Sequence, residues 1–333
     1  MKYIIPIFYS AIALLIFFSC ENSNSSLTTS ADSVSAMSPE EKVQKLRIDS
    51  LRSTFVAPKP IVVTANKNIT GPEDLIGYWV GIFEVHESLW EELEESGEAF
   101  VSEYSMSNKI NLSIDSLVGD KVFGHSVVAG NNRPFAGTFE VKDGIYSFSA
   151  KEPGNDQYDG AFHFEIQEND TLMKGTWDAN RDLKVSKRQY SLQKKIYAYD
   201  PNVMMEEWSQ YADHSKSGII KKDIGDGEIY EMDGVLASTE DAIKFNASNT
   251  LLTKEMVENL TKADILVIRN TIFARHGFSF KQKSLRNFFD FQDWYIPVQT
   301  DVRHELTDLE IKNIELLMRY EAYAKEHYDY FGR

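Results

Sequence analysis

The sequence predicts an α+β chain with two domains, an eight-stranded antiparallel meander β-barrel followed by a small all-α domain. Three observations carry this. Between about residues 75 and 195, short runs alternate apolar and polar side chains with period two and are separated by turn residues. Gly119-Asp120, Asp143-Gly144 and Asn169-Asp170 are hairpin signals that join neighbouring runs with no helix between them. From about residue 249 onward the apolar spacing becomes that of helices. Composition narrows the function classes. Among 333 residues, 20 Phe, 16 Tyr and 5 Trp are too many for a disordered chain and enough for packed cores. With 51 acidic against 35 basic side chains and a net charge of −16, the chain is not expected to bind nucleic acid, which needs clustered Lys and Arg to displace counterions. A single cysteine excludes a disulfide scaffold.

The chain opens with Met1-Lys2 and an almost uncharged apolar run to Phe18, then Ser19-Cys20, which reads as a signal peptide over residues 1–19. A small residue followed by Cys at the end of such a run resembles a bacterial lipobox, with Phe17 and Phe18 in place of the usual Leu and small residue. It implies that Cys20 is acylated and anchors the chain to a membrane. Cleavage would remove one base, Lys2, and take the charge from −16 to −17. Residues 20–70 read as a Ser/Thr-rich tether with a short helix starting at Ser38-Pro39-Glu40-Glu41. The barrel is assigned to 71–199, a connector to 200–242 and the helical domain to 243–333.

Eight strands are expected, at about 76–85, 109–117, 121–129, 135–141, 144–150, 161–167, 172–178 and 187–195. Eight meander strands can close on themselves, which removes exposed edges and leaves room for one small ligand. An insertion between Val85 and Asn108 holds seven Glu from Glu87 to Glu103 and no Lys or Arg; with Trp90 and Leu93 at helical spacing, it reads as a plug or lid for one barrel end. In the connector, Gly225-Asp226-Gly227-Glu228 faintly resembles a calcium loop but lacks the alternating ligands of an EF-hand, so no metal is expected. Helices follow at 254–260, 262–276 and 284–291, and from Thr307, whose spacing to Glu310 is a capping box, to about 328. Gly277 is expected to end the second as a left-handed cap.

The run Ile265-Leu266-Val267-Ile268-Arg269-Asn270-Thr271-Ile272-Phe273-Ala274-Arg275-His276-Gly277-Phe278 closely resembles the YARHG domain, with Phe273 in the Tyr position. Phe288-Phe289, Trp294-Tyr295-Ile296-Pro297 and the segment 306–314 agree with it. The resemblance covers about 249–325 and implies a small extracytoplasmic bacterial module without established catalytic activity. Arg275 and His276 fall in the last helical turn, where cations complement the exposed carbonyls. Residues 262–286 also carry six bases against one acid, Asp264, so Arg269, Arg275 and His276 are candidate ligand-binding residues, with Trp294 and Tyr295 as a stacking platform.

Gly77-Tyr78-Trp79 resembles the Gly-x-Trp signature of lipocalin-like barrels. In these the Trp closes one end against a late-strand base, for which Arg188 is the best-placed residue. The stretches 124–135, which include the candidate Arg133, and 152–160 resemble segments that accompany YARHG in envelope lipoproteins, and read as a binding rim or as turns. No nucleophile–base pair, phosphate loop or metal-ligand spacing appears among the seven His or elsewhere, so neither an enzyme nor a cofactor is expected. The resulting reading is a non-catalytic lipoprotein, anchored to the cell envelope, expected on the outer membrane. Its basic YARHG module would dock on peptidoglycan, another anionic envelope component or an envelope protein, beside a barrel able to hold a small ligand. The alternatives are an assembly scaffold with a solid barrel, a cell-wall hydrolase and a haem-binding barrel.

Overall fold

The computed structural model describes residues 68–327 apart from 93–94, 96–105 and 226–227. The signal peptide, Cys20 and nearly all of the tether lie outside the described residues, as do Leu93 and much of the acidic insertion.

Eight strands form the first domain: β1 (Gly77–Val85), β2 (Ser107–Val118), β3 (Lys121–Val128), β4 (Asn131–Lys142), β5 (Ile145–Lys151), β6 (Gly160–Gln167), β7 (Leu172–Ala179) and β8 (Lys187–Lys195). Each pairs antiparallel with its sequence neighbour, and β8 returns to β1, from Tyr78 opposite Lys195 to Val85 opposite Arg188, which closes the barrel. The period-two pattern is plainest in β6, where Phe162, Phe164 and Ile166 point in and His163, Glu165 and Gln167 point out. β4 begins four residues before its expected start. Ala129 and Gly130 both hold positive φ, 50° and 74°, as a two-residue turn of the kind that matches strand twist requires. Asn131 to Pro134 are therefore already paired with β3, although their Asn-Asn-Arg-Pro sequence resembles a loop.

Bulky side chains fill the barrel interior. Phe139, Phe148 and Phe164 stack at centroid spacings of 5.2 and 4.5 Å, within a buried cluster that includes Trp79, Leu112, Ile114, Phe162 and Leu192. The floor is closed by a 3-10 turn at Pro72–Leu75, to whose Leu75 carbonyl the Trp79 indole donates at 2.9 Å. The base facing that indole is Lys194, 5.9 Å from the ring, and not Arg188. Trp79 and Arg188 lie toward opposite ends of the β1–β8 pairing, since Trp79 is opposite Lys194 and Arg188 is opposite Val85.

Of the insertion after β1, Glu87–Leu89 forms a 3-10 turn and Leu89 packs against Val85 and Val185, whereas Trp90 is half exposed and does not enter the barrel. The second half of the connector, to which the sequence reading assigned no strands, is a hairpin of β9 (Ala212–Gly225) and β10 (Glu228–Ala237).

The helical domain comprises α1 (Asp241–Lys244), α2 (Lys254–Val257), α3 (Lys262–Arg275), α4 (Lys283–Phe289) and α5 (Asp308–His327). Thr261 and Asp264 form the capping box of α3, and Asp264 also accepts from the Thr239 backbone, so this acid is buried and fully used. The expected Thr307–Glu310 box starts α5, with donor–acceptor distances of 2.9 and 3.2 Å. α3 is buried on two sides. Val267 and Ala274 face a cluster of Tyr211, Phe280, Phe289 and Tyr295, while Ile265, Ile268 and Ile272 pack with Leu317 of α5.

The two domains meet along β1, β2 and the β3–β4 turn. Val80 packs on Ile296 and Val298. The Gly130 amide donates to Ser279 Oγ at 2.9 Å, and a Cβ at Gly130 would come within 2.1 Å of the Lys281 side chain, so the turn approaches closely only because it is glycine. The Lys109 ammonium donates to the Gln292 and Tyr295 carbonyls, and its backbone amide to Asp290 at 2.8 Å.

Candidate binding site at the barrel mouth

Among the described residues, none fills the end of the barrel opposite the floor. A cavity of about 530 Å³ opens there, within the range of small-molecule sites. Its apolar walls include Phe83, Phe162 and Trp177 from three strands, and Leu183 and Val185 from the loop joining β7 to β8. A larger hollow of about 690 Å³ lies where Gly175 thins the barrel wall, but its lining is mostly outward-facing polar side chains such as His163, Glu165 and Lys174. The mouth combines inward apolar walls with converging charged groups.

Glu152 is the acid of this cavity. It is 6 % exposed and accepts from Ser126 Oγ at 3.1 Å, the Gly160 amide at 2.7 Å and the Trp177 indole at 3.1 Å. Burial raises its carboxyl above the ordinary value, and those donors together with Arg133 oppose the rise. Gly160 makes the arrangement possible, because a Cβ there would sit 2.4 Å from the Trp177 ring. Arg133 on β4 reaches Asp156 and Asp159, both at 3.2 Å. Asp159 is held in turn by the Gly154 and Asp156 amides. The two stretches read from sequence as a rim are thus joined at one mouth.

Two further arginines line the cavity. Arg188, at the start of β8, lies 5.2 Å over the Phe83 ring and donates to the Phe83 and Met106 carbonyls. Burial, with a smaller contribution from Arg286, lowers its pKa to about 10. Arg286 comes from α4 of the helical domain, donates to Asn108 Oδ1 at 3.1 Å and also bonds the Lys281 carbonyl. The mouth is therefore built from both domains.

The candidates within the helical domain do not form one surface. Arg269 makes a two-toothed pair with Glu321 at 2.9 and 3.2 Å. Arg275 is 4 % exposed and donates to the Val203 carbonyl and Ser248 Oγ. His276 is buried, 2.8 Å from Glu310, and stacks on Tyr199 at 4.2 Å. Glu310 also accepts from the Tyr199 hydroxyl at 3.0 Å. Burial acts to raise the Glu310 carboxyl, but hydrogen bonds from His276, Thr307 and Ser248 bring it below its ordinary value. Tyr295 is buried with its hydroxyl on the Phe278 carbonyl, and Trp294 is half-buried in edge contact with Phe289 and Tyr295. Of the ligand-binding candidates read from sequence, Arg133 lines the mouth, joined there by Arg188, which the sequence had assigned to closing the other end. Glu152 and Arg286 lay inside stretches the sequence had marked, but nothing in the spacing pointed their side chains to one place.

Comparison with known proteins gives two matches. Residues 241–322 match the YARHG domain model. Echinococcus granulosus fatty-acid-binding protein 1 aligns over 37 % of this chain and 99 % of its own, at 15 % identity and a TM-score of 0.23. No curated protein matches. The barrel rests on its own closed pairing, and behind it the chain carries a YARHG domain at residues 241–322.

Proposed function

We propose that this protein is a lipid-anchored, non-catalytic envelope lipoprotein whose barrel mouth holds a small ligand, with the YARHG domain packed against the barrel and completing that mouth. The mouth cavity carries the reading, since it is a concave apolar chamber of about 530 Å³ into which a few charged side chains converge. The solid core beneath it restricts the ligand to a compact molecule at the mouth. Native mass spectrometry of the full chain, isolated gently from membranes, should reveal a retained small molecule. Val128→Trp, which fills the cavity from β3, should lose that molecule while keeping the barrel's circular dichroism. A wild type that carries nothing, and that no small amphiphile stabilises against heat, would remove the reading.

A second reading, docking of the YARHG domain on peptidoglycan or another anionic envelope component, is favoured by the excess of bases over acids in 262–286. Arg269 is already engaged by Glu321 and Arg275 by the Val203 carbonyl and Ser248, so that docking would fall to Lys281 and its exposed neighbourhood. Retention on purified sacculi that falls with salt supports it, and salt-insensitive or absent retention counts against it.

A further inference from the structure

Asn111 is fully buried, and neither its amide nitrogen nor its amide oxygen has a hydrogen-bond partner. Its neighbours on β2, Ile110 and Leu112, belong to the core inside the barrel, so the pleat turns Asn111 outward. Directly opposite it on β1 is Val80, which packs on Ile296 and Val298 of the helical domain. Asn111 is therefore an amide shut into the contact between the domains, its donor and acceptor stripped of water with nothing in exchange. The rest of that contact is thin. Its buried apolar part is Val80, Ile296 and Val298, and the remainder is hydrogen bonds that water can replace, from Lys109 to Gln292 and Tyr295, from Arg286 to Asn108 and from Gly130 to Ser279. Small, polar contacts of this kind leave domains free to move against each other. Among the described residues the chain passes between the domains once. β8 ends at Lys195, Ile196 is half exposed, and Tyr197 already donates to the Arg275 carbonyl.

We infer that the YARHG domain is a hinged wall of the mouth, which swings from the barrel about the link between Lys195 and Ile196 to let the ligand in and out, and that Asn111 keeps its docking weak enough for this. The inference rests on the mouth being the binding site. Swinging returns the Asn111 amide to water and withdraws Arg286 from Asn108, so the movement that relieves the buried amide also removes the side of the chamber that α4 supplies. A few residues at the end of an element are enough to absorb such a rotation. The docked state holds the ligand, and brief undocking sets how fast it enters and leaves.

Two backbone amides report undocking directly, because each lies in the barrel and donates to the helical domain, Lys109 to Asp290 and Gly130 to Ser279. In hydrogen exchange of the full chain followed by NMR, both should exchange through one common opening, faster than the amides inside the barrel sheet. Asn111→Leu, which puts an apolar group of similar size in place of the unpartnered amide, should slow both by at least about fivefold, the factor that corresponds to about 1 kcal/mol. Ile296→Ala, which trims the docking surface, should speed both. In stopped-flow binding of N-phenyl-1-naphthylamine, a small neutral fluorescent amphiphile, each variant should shift association and release together in the same direction as its amides, with Kd within about twofold of wild type. Lys109 and Gly130 amides that exchange independently, or only together with the sheet, or at wild-type rates in both variants, would overturn the hinge. Shifted amides with unchanged probe kinetics would overturn the gating and leave the mouth reading standing. A wild type that does not bind the probe would overturn the gating together with the mouth reading.

Discussion

At the scale of single residues, the motif that identifies the helical domain works from the inside. His276 and Glu310 form a buried pair, so His276→Ala would leave a buried carboxylate to Thr307, Tyr199 and Ser248, with no cation beside it at that position. The expected loss is about 3–5 kcal/mol in urea unfolding. The sign of the pH effect follows from the lowered Glu310 carboxyl. Its contribution is complete above the unfolded value near 4.5 and disappears as pH falls through the folded value, so acid should destabilise wild type more than His276→Ala. Gly277 has φ +71°, and a Cβ there would meet Val298 at 2.3 Å. Gly277→Ala should cost at least about 1–2 kcal/mol in the same assay. The left-handed cap was legible because glycine follows a helical run. The burial of Arg275 was not, since its acceptors Val203 and Ser248 lie 72 and 27 positions away, and no local pattern announces them.

At the scale of elements, the eight strands were legible because each buries one face, so hydrophobicity alternates with the pleat. The β9–β10 hairpin was not. Its strands carry Ser215, Lys216 and Ser217 in one and Glu231 and Asp233 in the other, and few of its described side chains are buried, so no period survives. A second pH effect belongs to the junction of β2 with the C-terminal end of α4. Burial raises Asp290 from 3.8 to about 6 and lowers Lys109 from 10.5 to about 8. Between about pH 4 and 6 the folded state binds more protons at Asp290 than the unfolded state, so stability falls as pH rises across that window. Between about 8 and 10.5 the unfolded lysine holds the extra proton, and stability rises with pH. Asp290→Asn should abolish the Asp290 slope and start the Lys109 slope at lower pH, because the Asp290 carboxylate holds the Lys109 ammonium up, read as melting temperature against pH.

At the scale of the whole molecule, the proposed anchor at Cys20 and the proposed site at the barrel mouth are separate in sequence. Cys20→Ala should release the protein into the soluble fraction and abolish palmitate labelling, while retention of a small molecule at the barrel mouth remains unchanged; a variant that stays on the membrane would remove lipidation from the account. The architecture of a barrel followed by a helical domain could be read from the chain because each domain has its own period. The joint mouth could not, because it depends on Arg286 meeting Asn108, 178 positions earlier.

The segment between the barrel and the hairpin also alters where one of these domains begins. Tyr197 donates to the Arg275 carbonyl, Tyr199 covers His276 and reaches Glu310, the Val203 carbonyl receives Arg275, and the Tyr211 hydroxyl donates to Ser284. All four precede residue 241, where the family match starts. A fragment cut at the family boundary would therefore leave its signature arginine and histidine without half their partners, and should give broad, low-temperature melting. One that starts near residue 196 should melt cooperatively. The stretch that matches the family is shorter than the set of residues that its motif touches, and the remainder comes from the connection that leaves the barrel's last strand.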